Sequence, residues 1–197
     1  DTYSPTADWH TLRLYLSLVA CLSLHTRQLD VKTAFLYAPL SEDVYIKQPQ
    51  GIKGNVFKLS TKIMGVCNSS ILKLLKSLYG LKQAPRNWFL LLKSFLLRIG
   101  FAAVETAPCL FFSYIDFKVL LVLVFVDDIL VAGKDEATVE KIVAAFAERF
   151  KITDTGEVDV YLSIHMERNL VNRTILLDQT DYIEQMWKTF NGVENHR

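Results

Sequence analysis

Two β-prone runs, 119–126 (VLLVLVFV) and 129–132 (ILVA), are separated only by Asp127 and Asp128. A gap that short leaves the chain little choice but a tight hairpin, with two carboxylates at its tip. The first run is the longest conspicuous apolar stretch in the sequence. It is far too short to span a bilayer as a helix and reads as a buried strand.

The rest of the chain alternates around this hairpin. Residues 7–24 read as an amphipathic helix, with Leu12, Tyr15, Leu16, Val19 and Leu22 on one face. A short strand, 27–31, carries Asp30 near its end, and 44–47 and 56–59 read as further strands with Pro49 and Gly51 in a turn between them. Pro85 opens a long helix that runs to Arg98 and stops at Gly100; Trp88, Phe89, Leu92, Phe95, Leu96 and Ile99 repeat along it at three and four. After the hairpin come a helix over 135–150, strands near 151, 158–166 and 174–177, and a last helix over 179–190. Residues 60–70 (STKIMGVCNSS) have no periodicity and read as a loop or insertion. The pattern predicts an α+β fold, an antiparallel sheet with helices packed on one face.

The 197 residues suffice for one domain with a sizeable core, or one domain and part of a second. Half of the residues are apolar, which excludes a disordered or fibrous chain. The N-terminal residues carry no apolar signal core, so secretion is not expected. Cys21, Cys67 and Cys109 are widely spaced and odd in number, as poor for disulfides as for a zinc site. The four histidines are scattered, and none reads as a ligand or a general base. A net charge of +1 hides an asymmetry: 44–104 contains no acidic residue, whereas acidic residues dominate 105–159. A basic block beside an acidic one suits a protein that holds a polyanion on one surface and cations on another, although solvated faces of segregated sign read the same way.

Adjacent aspartates at a hairpin tip repel each other, and a bound divalent cation is the usual remedy. Carboxylate oxygens are hard ligands, and Mg²⁺ favours one or two of them completed by water and phosphate oxygens. Two such ions about 3.5–4 Å apart can activate a hydroxyl and stabilise a leaving phosphate oxygen. A third carboxylate would complete the cage, and Asp30 is the candidate. Asp127-Asp128 taken alone reads equally well as a solvated turn.

The residues at this point resemble a known family. QLDVKTAFL at 28–36, SEDVYIKQPQGI at 41–52, LKSLYGLKQAPRNWF at 75–89, FVDDILVAG at 125–133 and LDQTDYIEQM at 177–186 follow in order the blocks of the reverse transcriptases of copia-type LTR retrotransposons. DTYSP at 1–5 is similar to the family's short block before the first helix. The resemblance implies a polymerase palm, a split βαβ-type antiparallel sheet, with partial fingers and, over 179–197, the start of a following thumb or connection region. It implies an RNA-directed DNA polymerase that transfers nucleotides from dNTPs to a primer 3′-OH, with two Mg²⁺ ions (Mn²⁺ as an alternative) held by Asp30, Asp127 and Asp128. Phe35 stands where such enzymes place an aromatic gate against the 2′-OH, or is a plain core aromatic. Gln83 is similar to a glutamine that contacts the incoming nucleotide. Lys82 and Arg86 suit phosphate contacts, or are solvated cations at a helix start. Leu162, Ser163 and Ile164 correspond to the turn that grips the primer end, or are an ordinary strand pair.

The implied partners are an RNA or DNA template with its primer, dNTPs, and the RNase H and integrase parts of a Pol polyprotein; no membrane is involved. The implied location is a cytoplasmic virus-like particle, or the nucleus together with the cDNA complex. The sequence departs from the family at Tyr37-Ala38, where Asn-Gly is usual, at Ala107 in place of Asp, and at Ser163 in place of Gly. The upstream fingers strands, with their triphosphate-binding Lys and Arg, and any protease segment have no counterpart in the chain. It therefore reads either as a piece of a longer polyprotein with polymerase activity, or as a truncated or decayed, non-catalytic remnant that at most binds nucleic acid.

Overall fold

The computed structural model describes residues 2–47, 64–68, 71–115 and 118–191. Strand 56–59 and the turn at Pro49 and Gly51, expected from the sequence, lie outside these residues. The elements run α1 (Trp9–Leu22), β1 (His25–Val31), a 3₁₀ turn (Ala34–Tyr37), β2 (Pro39–Lys47), β3 (Met64–Asn68), β4 (Ile71–Lys76) and α2 (Ala84–Arg98). They continue with β5 (Ala102–Val104), β6 (Ala107–Ile115), β7 (Lys118–Phe125), β8 (Asp128–Gly133), α3 (Glu136–Arg149), β9 (Ile152–Gly156), β10 (Val160–Tyr161), β11 (Ile164–Asn169), β12 (Thr174–Asp178) and α4 (Thr180–Asn191).

Six strands form the main sheet in the order β5-β6-β7-β8-β1-β9, and every pairing in it is antiparallel. Two three-stranded sheets, β10-β11-β12 and β2-β4-β3, stand apart from it. The α+β class expected from the sequence is what the fold displays. The expectation of helices on one face is corrected. Helices α2 and α3 bury Trp88, Leu92, Phe95, Leu96, Val139 and Phe146 against Leu29, Val31, Val122, Val124 and Val131. Helix α1 and the β10-β11-β12 sheet instead pack against the opposite face, where Leu12, Tyr15, Leu16 and Val19 meet Leu121, Leu123, Leu130, Tyr161 and Ile164. The reason lies in β7. Leu120 to Val124 are all buried, so both rows of its alternating side chains need cover, and a single layer of helices covers only one.

Local signals set the helix ends. The Asp8 carboxylate accepts from the Thr11 N–H at 2.8 Å and caps α1, while Asp135 accepts from the Thr138 N–H at 3.0 Å and caps α3. Pro85 lies in the first turn of α2, and Gly100, at φ +94°, lets the chain leave it. Leu22, expected on the buried face of α1, is exposed because it falls in the last turn, beyond the sheet's cover. A second correction concerns 60–70: Met64–Asn68 is a strand hydrogen-bonded to β4. Its partner supplies the order that its own aperiodic sequence does not announce.

Gly133 ends β8 where no side chain fits. A Cβ there would stand 2.7 Å from Leu120 Cδ2 and 2.9 Å from Val139 Cγ2. Gly133→Ala should therefore destabilise the fold by roughly 1–3 kcal/mol through overpacking, read as a lower urea midpoint at unchanged slope.

Candidate active site at the hairpin tip

The tip of the β7–β8 hairpin differs by one residue from the sequence expectation. Phe125 pairs with Asp128, so the two-residue turn is Val126-Asp127, and Asp128 is the first residue of β8. Val126 sits at φ +56°, a conformation that costs a β-branched residue dearly. Two hydrogen bonds hold the turn in place. The Val31 N–H donates to the Asp127 carbonyl at 2.9 Å, and the Trp88 indole N–H donates to the Val126 carbonyl at 2.6 Å. Trp88 is itself wedged among aromatic rings, edge-on to Phe150 at 5.2 Å, with Phe150 in turn packed on Phe95 at 5.2 Å and on Tyr37 at 5.2 Å.

Asp30 lies directly opposite Asp128 across the β1–β8 pair, with β9 on its other side. The fold thus brings two carboxylates from distant parts of the chain onto neighbouring strands, with Asp127 in the adjoining turn. All three are partly buried. The electrostatic cost shows in Asp128: burial raises its pKa above the ordinary carboxylate value, the carboxylates of Asp127 and Asp30 raise it further, and Lys32 opposes them. Lys32 has its ammonium 3.0 Å from one Asp30 oxygen and 3.1 Å from the other, so the site already draws a cation to itself.

Among the described residues, no three His, Cys, Asp or Glu side chains converge as a preformed cation cage. The donor set nevertheless fits a hard divalent ion: carboxylate oxygens on adjacent strands, mutually repelling, with one of them compensated by the Lys32 ammonium. Asp30, Asp127 and Asp128 are the residues that would hold it.

The remaining expected site residues divide into near and far. Phe35, on the 3₁₀ turn directly after β1, is almost fully buried and packs against Tyr79, ring centroids 4.4 Å apart. Tyr79 has its phenol pKa raised, by burial first and then by the carboxylates of Asp127 and Asp30, so it lies at the edge of the carboxylate group. Gln83 turns elsewhere: its side-chain amide donates to Glu42 at 3.3 Å. Arg86 reaches back to the Tyr3 carbonyl at 3.4 Å, and Lys82 is exposed at the start of α2.

Leu162 and Ser163 form a two-residue turn between the paired Tyr161 and Ile164, and both have positive φ, +50° and +63°. Ser163, in place of the family's Gly, is therefore strained, and Leu162 shares the strain. Ile164 is buried beneath the turn. Buried Tyr161, its phenol pKa raised by desolvation and then by Asp128, ties this turn to the same end of the sheet as the carboxylates.

Sequence reasoning missed Trp88, Lys32, Tyr79 and Tyr37 as parts of this site. Lys32 carries the clearest overlooked signal, since two residues beyond Asp30 it shares that residue's side of an extended chain. Tyr37, at a departure from the family pattern, replaces a turn residue with a structural one: its hydroxyl accepts the Lys151 N–H at 2.7 Å.

Comparison with known proteins shows the family of the chain. The chain is 36% identical over 192 residues to the "Retrovirus-related Pol polyprotein from transposon TNT 1-94" of Nicotiana tabacum, a match that covers 97% of the chain and 14% of that protein. It is 36% identical over 183 residues to the polyprotein from transposon RE1 of Arabidopsis thaliana (93% of the chain, 12% of that protein). It is 31% identical over 167 residues to the Ty1-H Gag-Pol polyprotein of Saccharomyces cerevisiae (81% and 8%). The chain thus spans about a tenth of the length of these curated relatives. Residues 1–197 match the family model described as "Reverse transcriptase (RNA-dependent DNA polymerase)", and the chain belongs to that family.

Proposed function

We propose that this chain is the palm, with part of the fingers, of an RNA-directed DNA polymerase that extends a primer on the transcript of its own element. The observation that supports this reading most is the in-register pair Asp30 and Asp128 beside Asp127. Divalent ions on these oxygens, Mg²⁺ by ligand preference with Mn²⁺ as the alternative, would lower the pKa of the primer 3′-OH and offset charge on the phosphate under attack.

The chain's own residues supply position. Trp88 and Val31 hold the turn that carries Asp127. Lys32, paired with Asp30, would move its ammonium aside to a phosphate oxygen when a cation takes its place. Phe35 lies within the 3₁₀ turn that follows β1, so its ring would floor the pocket for the nucleotide sugar and exclude a 2′-OH. The turn at Leu162, Ser163 and Ile164 would press on the primer end, and Lys82, Arg86 and the basic block would follow the template–primer backbone with strong salt dependence. Gln83 serves the nucleotide only if it leaves Glu42.

The rest of the Pol polyprotein, with RNase H and integrase, is the proposed covalent context, and a cytoplasmic particle or the nuclear cDNA complex the proposed location. No helix among the described residues is long and apolar enough to cross a membrane.

The test is primer extension on an RNA template with dNTPs and Mg²⁺, where the expected product is DNA copied to the template end. A folded chain that binds template–primer and adds no nucleotide would support the second reading, a non-catalytic remnant, which the engaged Gln83 and the strained Ser163 favour. Phe35→Ala should relax discrimination against ribonucleotides by on the order of 10–100-fold in the ratio of kcat/KM values for dNTP and rNTP. An unchanged ratio would return Phe35 to a purely packing role.

A further inference from the structure

Resting on the reading of Phe35 as the residue that senses the nucleotide sugar, we propose that Tyr79 is a positioning residue for this discrimination, its ring bracing the Phe35 ring against which a 2′-OH would collide. The two rings are 4.4 Å apart between centroids and tilted by 43°. Phe35 is 7% exposed whereas Tyr79 is 57% exposed, so Tyr79 forms the outer of the two layers.

The two rings come from different turns that are tied together. Phe35 sits in the 3₁₀ turn whose end is fixed by the Ala38 N–H donating to the Phe35 carbonyl at 3.1 Å. Tyr79 occupies a turn closed by the Leu81 N–H donating to the Leu78 carbonyl at 3.2 Å, with Gly80 at φ +94° in its third position. The Ser77 N–H donates to the Ala38 carbonyl at 2.9 Å and joins the two turns directly. Asn87, on α2, donates to the Ser77 hydroxyl at 3.3 Å and anchors the joint to the helix that also holds Trp88.

Exclusion by a clash is only as strong as the stiffness of the wall that clashes. Phe35 stands on a four-residue turn and needs a brace to resist rotation away from an added hydroxyl. Tyr79 is placed to be that brace, at the rim of the site and near Asp30 and Asp127. Its exposure means that its ring contributes little to the core, so its replacement leaves the fold intact.

The experiment compares wild type, Tyr79→Ala, Tyr79→Phe and Phe35→Ala with an RNA template, a chain-terminated DNA primer and Mg²⁺. Matched rNTP competes with labelled dNTP for the ternary complex, so that binding is read without turnover. Tyr79→Ala should raise rNTP affinity relative to dNTP by roughly tenfold, in the direction of Phe35→Ala, and Tyr79→Phe should keep the wild-type ratio. A general loss of stability would not move this ratio. If Phe35→Ala shifts the ratio and Tyr79→Ala does not, the bracing role is overturned and the gate stands. If neither shifts it, or if wild type holds neither nucleotide, both ideas fall. If Tyr79→Phe is as permissive as Tyr79→Ala, the hydroxyl is what acts, and bracing by the ring is overturned.

Discussion

Replacing Asp127 by Asn is expected to abolish nucleotide incorporation, by on the order of 10³-fold or more, while leaving template–primer binding nearly unchanged. Asn keeps the size and turn preference of Asp but supplies one neutral oxygen in place of a charged pair, too weak a donor to hold a hard divalent ion. Nucleic-acid binding rests on the basic surface and should retain its salt dependence. The comparison with Asp128→Asn makes the test sharper. Burial and two neighbouring carboxylates disfavour the charged form of Asp128, so its neutral replacement should leave the metal-free chain as stable as wild type or more so. Activity and stability would then move in opposite directions, as expected of a residue kept for chemistry. Primer extension and urea titration on the two variants measure both. Residual incorporation near the wild-type rate in Asp127→Asn would remove the carboxylates from the mechanism.

The second large effect concerns Trp88. Trp88→Ala should destabilise the chain by about 3–5 kcal/mol, because a fully buried indole leaves a cavity among Tyr37 and Phe150. Trp88→Phe separates packing from hydrogen bonding. Phe fills much of the space but leaves the Val126 carbonyl without its indole donor, at a cost of about 1–3 kcal/mol. That loss falls on the residue the turn already strains, at φ +56°. The Phe variant should therefore lose more incorporation than its stability explains, since Asp127 follows Val126 directly. Urea midpoints together with single-turnover extension well below the melting temperature would check this. A Phe variant with full activity would reduce Trp88 to a packing residue.

Much of the architecture can be read from local pattern because it depends on local pattern. The β7–β8 hairpin follows from two apolar runs with no room for a longer link, and the helices from caps at Asp8 and Asp135 and from Pro85. The same runs hide their own boundary: Val126 reads as strand, yet it enters the turn because β8 pairs from Asp128 onward and leaves it no partner. Strand β3 escapes detection for the opposite reason, since its order comes from β4 and not from its own composition.

What the sequence by itself determined is the inventory: a carboxylate pair at a hairpin tip, a third carboxylate at a strand end, an aromatic five residues beyond it, and a family pattern that orders them. Only the tertiary structure decided which of these meet. Asp30 faces Asp128 because β1 inserts between β8 and β9. Helix α1 covers the far side of the sheet because β7 is apolar on both faces. Tyr79, and not Gln83, lies beside Phe35 because the Gly80 turn directs one toward the carboxylates while the start of α2 leaves the other bonded to Glu42. Periodicity is a property of a few consecutive residues, whereas contact across the sheet depends on strand order and register, and those are set by the burial of the whole chain at once.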